Sequence, residues 1–116
     1  MSRNENNLKI DYIELPGQNL PAMKDFYRKA FNWDFVDYGD DYVSFNDGRL
    51  DGGFTTHVPV VSGGVLVVLF ATDIVDAERR VVEAGGLITT PTFEFPGGRR
   101  FHFKDPAGNE LAIWAH

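Results

Sequence analysis

The chain carries one pattern twice. Leu20, Met23, Tyr27 and Ala30 share a helix face, and Ile74, Ala77, Val81 and Ala84 repeat that stripe at a constant offset of 54. Further on, Val43-Ser44-Phe45-Asn46-Asp47 lines up with Phe101-His102-Phe103-Lys104-Asp105 at an offset of 58. Such a repeat limits the fold sharply, because one copy alone cannot bury its own sheet face. The drift of four places a longer β-hairpin region in the second copy.

Each copy reads as strand, helix, then three strands. In the first, Ile10 to Leu15 alternates and ends at Pro16-Gly17; Asn19 can cap a helix with Pro21 in its first turn, and Asn32 stops it. Strands follow near 33–38, 42–46 and 51–56. In the second, Val65–Ala71 reads as a buried strand, and Asp73 caps a helix with Asp76 helping as a capping-box analogue. Gly85-Gly86 ends that helix, and strands follow near 87–94, 99–104 and 109–115. The spacing predicts an α+β domain over 8–116, made of two tandem β-α-β-β-β modules (about 8–58 and 64–116) that form a cupped mixed sheet. The polar residues 1–7 are expected to be a flexible start.

Composition supports a core and removes several functions. Hydrophobic residues make up 43% and aromatics 14%, enough for a packed interior. No apolar run approaches the roughly 18 residues of a membrane helix, and the N-terminus lacks a signal-peptide pattern. There are no cysteines, which removes disulfides, thiolate metal sites and a cysteine nucleophile. A cytoplasmic location is expected. Net charge is −6 and the basic residues form no stripe, so nucleic-acid binding is not expected.

The segments IELPGQNLPAMKDFYRKAFNWDF, DIVDAERRVVEAGG and FKDPAGNELAIW resemble the vicinal oxygen chelate superfamily. That group includes glyoxalase I, extradiol dioxygenases, and fosfomycin and bleomycin resistance proteins. The resemblance implies paired β-α-β-β-β modules and a homodimer. It also implies either a divalent-metal enzyme or a metal-free binder.

Metal-dependent members place a His, Glu or Gln ligand on the first and last strand of each module. Alignment to that pattern puts Tyr12, Phe54, Leu66 and Ala112 at the four positions. Three of these have no donor atom, and a phenol is an uncommon ligand. The usual metal site is therefore expected to be missing and a divalent cofactor is disfavoured. An alternative site would use Glu14, His102 and Glu110.

Strand alternation suggests what lines the cup. Tyr12, Glu14, Tyr42, Arg100, His102, Glu110 and Trp114 turn away from the helices, with Phe54, Leu66, Val68 and Phe70 as apolar walls. Glu14 and Arg100 could simply pair with each other, and His102 is the natural base if there is catalysis. The best reading is a binder of a small aromatic or cationic molecule without the usual metal. The alternatives are a metal-dependent lyase, isomerase or dioxygenase, or an interaction module with no ligand.

Overall fold

In a computed structural model, residues 3–116 are described, with side chains from Glu5 onward. The first two residues of the predicted flexible start lie outside the described residues. Arg3–Asn6 forms a 3-10 turn. The first module follows the predicted order: β1 (Tyr12–Pro16), α1 (Leu20–Phe31), β2 (Asp34–Asp37), β3 (Tyr42–Asn46) and β4 (Asp51–Thr55). The second repeats it with β5 (Val67–Phe70), α2 (Ile74–Glu83), β6 (Leu87–Phe95), β7 (Gly98–Lys104) and β8 (Glu110–Ala115). Both hairpin strands β6 and β7 are longer than β2 and β3, which accounts for the drift between the copies.

The strands form two four-stranded sheets, ordered β1-β4-β3-β2 and β5-β8-β7-β6. In each, the first strand runs parallel to the last and the other pairings are antiparallel. Among the described residues no strand of one sheet pairs with the other, so these strands do not close one continuous cup. The sheets meet through the helices instead. Tyr27 of α1 stacks on Phe54 of the first sheet, while its neighbour Phe26 packs against Phe103 of the second. Gly86 lets α2 approach, since a Cβ there would lie 2.6 Å from Val81 and 2.8 Å from Phe26. One core therefore serves both modules, with the other face of each sheet turned outward.

Local signals explain the helix ends. Asn19, in the left-handed region, accepts from the Ala22 amide, and Asn32, also left-handed, closes α1. Asp73 accepts from the Val75 and Asp76 amides. The Asp76 side chain does not complete a capping box. Its carboxylate goes to Arg79 and Arg80, one turn further along α2. Cations at i+3 and i+4 win because they reach it without bending the chain back.

A buried polar knot ties the modules together. The Asp105 carboxylate accepts from the Tyr27 hydroxyl at 2.8 Å, the Asn109 side chain at 3.0 Å, and the backbone amides of Ala107 and Asn109. The same Asn109 amide group donates to the Pro16 carbonyl at 2.7 Å, at the end of β1. Burial pushes the Asp105 carboxyl up from its usual range, and the bonds from Asn109 and Tyr27 oppose that rise. The Asp-Pro-x-Gly-Asn turn is thus a clamp on the first module as well as a hairpin.

This packing predicts the cost of three substitutions. Asp105→Ala would leave several buried donors unpaired and should cost about 3 kcal/mol or more in urea unfolding. Tyr27→Phe should cost about 2 kcal/mol at neutral pH, because the donor serves a charged acceptor. Losing that donor raises the folded-state pKa of Asp105 further, so the deficit grows as pH rises through the carboxylate range and shrinks in acid. Equal deficits at pH 3 and pH 7 would contradict the assignment. Gly52→Ala would put a Cβ 2.2 Å from the Phe45 ring and 2.4 Å from the Ile13 carbonyl. We expect about 3 kcal/mol of destabilisation from that overpacking, measured the same way.

Candidate functional site

On the first sheet, Tyr12, Glu14, Tyr42 and Ser44 share the outward face. Beside them lies Gly53, paired across the strands with both Glu14 and Ser44. A Cβ at Gly53 would lie 2.2 Å from the Tyr42 hydroxyl and 2.6 Å from that of Tyr12, so glycine opens the space both phenols occupy. The two hydroxyls are hydrogen-bonded to each other, and the Glu14 carboxylate lies close enough to Tyr42 to raise its pKa. Desolvation, then those two partners, hold the Tyr42 phenol far above its usual pKa, so it stays protonated and donates. With Tyr42 turned toward the carboxylate, the relay runs Tyr12 to Tyr42 to Glu14. This relay leaves acceptor lone pairs on Tyr12 and Glu14 facing outward.

Phe54 is not part of that face. It is fully buried in the core, stacked at 5.1 Å on Tyr27 and 5.1 Å from Phe45. The reason is a turn one residue shorter. Ser44 pairs with Gly53, nine positions on, whereas His102 pairs with Ala112, ten positions on. The counterpart of Ala112 in the first module is therefore Gly53, and an offset of 58 runs one residue past it.

On the second sheet, the outward face carries Leu66, Val68, Phe70, Arg100, His102, Glu110, Ala112 and Trp114. The expectation of a fully buried β5 does not hold within one chain: Val68 is 41% and Phe70 49% exposed. Their face lies opposite the shared core, and no element among the described residues covers it. Ala112 faces the same way but is buried between its strand neighbours, Val68 and His102. His102 Nδ1 lies 2.9 Å from Glu110 Oε2. Phe70 and Trp114 meet edge to face at 5.1 Å, and Trp114 lies 6.4 Å from Phe95.

Arg100 sits within this aromatic band. Its guanidinium carbon is 5.4 Å from the Phe93 ring centre and 5.7 Å from that of Phe95. Phe93 also stacks on His102 at 6.1 Å. Phe93 and Phe95 were not among the residues expected in the site. Two aromatics at i and i+2 were the available signal. However, β6 shifts register between Thr90 and Phe93, so simple alternation could not say which way they point.

The structure thus gathers the expected residues into two groups rather than one. Tyr12, Glu14 and Tyr42 lie together on one sheet; Arg100, His102, Glu110 and Trp114 lie together on the other. No hydrogen bond or ion pair among the described residues joins the groups, so Glu14 and Arg100 do not pair within the chain. The four strand positions aligned with a metal site become Tyr12, Gly53, Leu66 and Ala112. This set does not fit a divalent ion, because only the phenol carries a donor. Among the described residues, no three His, Asp or Glu side chains of one chain converge on a point.

A separate cleft lies mainly on the core side of the strands and reaches Val68, Phe70 and Trp114 at its edge. It has a volume of about 660 Å³ and opens between β1 and β5, walled by Ile13, Leu15, Phe31, Trp33, Val67 and Leu69. Its acids are already committed: Asp73 caps α2, Asp76 holds Arg79 and Arg80, and Asp47 takes the Arg49 and Leu50 amides. The uncommitted polar chemistry is on the outward sheet faces, so those are the candidate site.

Comparison with known proteins agrees with this architecture. The family profile described as Glyoxalase/Bleomycin resistance protein/Dioxygenase superfamily matches residues 9–113. The anthracycline biosynthesis protein DnrV of Streptomyces peucetius is 32% identical over 124 residues, covering 89% of this chain. The chain spans only 45% of that relative's length. A glyoxalase-related enzyme from Fulvimarina pelagi superposes with a TM-score of 0.79 at 22% identity, over 94% of this chain and 88% of that one. Fosfomycin resistance protein FosX from Mesorhizobium loti gives 0.75 at 15% identity, over 94% and 92%. Among the described residues no helix is long and apolar enough to cross a membrane.

The relay gives a direct spectroscopic prediction. Glu14→Gln removes the negative charge beside Tyr42 and should lower that phenol's pKa part of the way, desolvation and the Tyr12 bond still holding it up. Ultraviolet titration should then show one tyrosine ionising at a lower pH than in the wild type, though still above the ordinary range. An unchanged titration curve would contradict the contact.

Proposed function

We propose that this chain, a member of the glyoxalase/bleomycin resistance protein/dioxygenase superfamily, binds a small planar aromatic molecule and does so without the family's usual divalent metal. The observation that carries this reading is the aromatic band on the second sheet. Phe70, Trp114, Phe95 and Phe93 line an uncovered face with polar groups set among them. Such a surface offers stacking area at low entropic cost. The similarity to a protein named for anthracycline biosynthesis supports a flat, ring-based ligand.

The working unit in this proposal is a homodimer. Each sheet of one chain presents an outward face with partly exposed apolar residues, among them Tyr12, Val36, Val68, Phe70 and Phe93. A two-fold mate would set the phenol face of one copy against the aromatic face of the other, closing the cup that one chain leaves open. The ligand would then lie between the Tyr12–Tyr42–Glu14 relay and the Trp114 band.

A second reading is a metal-dependent lyase, isomerase or dioxygenase of the same superfamily. The 2.9 Å His102–Glu110 contact favours it, since a dimer would bring Glu14 of the partner subunit toward that pair. Under the metal-free reading His102 and Glu110 are polar contacts for the ligand.

Sedimentation equilibrium should give twice the chain mass of 13.0 kDa. Thermal unfolding with 2-naphthol and anthraquinone should show stabilisation that grows with concentration by mass action, and Trp114→Ala should abolish it. Metal analysis of protein purified without chelator should find well under one divalent ion per chain. One tightly held ion, lost in His102→Ala or Glu110→Gln, would replace this proposal with the enzyme reading.

A further inference from the structure

We infer that Arg100 is the anion-recognition point of this pocket, so that its ligand is an acidic aromatic molecule carrying a carboxylate or phenolate oxygen. This rests on the aromatic-pocket reading above and narrows it.

A guanidinium normally spends its charge on a carboxylate. Arg100 does not. Among the described residues no ion pair joins it to an acid, and Glu110 on the same face is engaged with His102. Its Nε is buried without a hydrogen-bond partner. An unmet buried donor is costly, and burying one beside a positive charge is retained only where something compensates. The Phe93 and Phe95 rings supply part of that compensation through their negative faces, and they hold the guanidinium plane in place. Arg100 as a whole is only half-buried, which leaves part of the side chain accessible to a ligand.

The surroundings favour a flat ligand with one acidic edge. Arg100 is cross-strand partner to Trp114, so a ring stacked on the indole would place an edge substituent beside the guanidinium. An oxyanion there would take a charge-assisted pair of bonds from a preorganised fork, at little ordering cost. A cationic ligand would meet the guanidinium head-on. Despite the chain's net charge of −6, the local field on this face therefore selects against basic aromatics.

Calorimetric titration of the dimeric protein at neutral pH with 2-naphthoate, its neutral isostere 2-naphthamide and the cation 2-naphthylmethylammonium tests this. We expect naphthoate to bind at least tenfold more tightly than the amide, with the ammonium weakest. In Arg100→Met, naphthoate should fall about 10- to 100-fold, to the level of the amide, with amide affinity kept within about twofold. Arg100→Lys, which keeps the charge without the stacked fork, should retain part of the preference and covers the case in which the Met variant fails to fold. Equal or tighter binding of the amide or ammonium by the wild type would overturn the inference while leaving the aromatic pocket standing. So would an unchanged naphthoate preference in both variants. A weakened dimer in Arg100→Met, with no preference among the probes in the wild type, would make Arg100 an interface residue and overturn it as well. Binding of none of the three probes would remove the pocket reading itself.

Discussion

Asp105 is a buried carboxylate whose charge survives only because four donors converge on it, and those donors come from both halves of the molecule. The Tyr27 hydroxyl arrives from the first module's helix, while the second module's own turn supplies the rest. Asn109 then reaches back to the end of β1. The knot fixes where the second sheet sits relative to α1, and the aromatic packing around Phe26, Tyr27 and Phe103 fills in behind it. Hydrophobic burial supplies most of the stabilisation, but it is non-directional. Directional bonds to one carboxylate set the orientation that leaves both sheet faces looking outward.

Much of this architecture was legible in the sequence because it depends on short-range rules. The helix from Leu20 to Phe31 was bounded by its Asn19 and Asn32 caps, and the apolar stripes of the two helices exposed the duplication. The outward turn of Tyr12, Glu14, Arg100, His102, Glu110 and Trp114 followed from alternation, which holds as long as a strand is regular. Phe54 was misplaced because register across a turn depends on counting residues in that turn, and a slip of one reverses the face. Phe93 and Phe95 were missed for a related reason, since β6 breaks its own alternation. Sequence also gave no sign that the two sheets stay apart within one chain, because that depends on how α1 packs between them.

The two outward faces differ in chemistry as well as position. One presents acceptors, through the phenol relay ending on Glu14; the other presents an arginine held in an aromatic frame beside an imidazole–carboxylate pair. Gly53 is as important to the first as Phe93 and Phe95 are to the second. In each case the residue that sets the geometry carries no polar side chain, which is why a search for donors and acceptors alone would pass over it.

The turn between β3 and β4 spans four residues, and its counterpart between β7 and β8 spans five. Yet the strands beyond both turns present the same faces to core and solvent. The turns have absorbed a one-residue difference in length without passing it to the sheets. A duplicated scaffold built this way can gain or lose residues at its rim while its walls keep their register. Its loops are therefore free to diverge in length, whereas a single insertion within a strand would invert a whole wall.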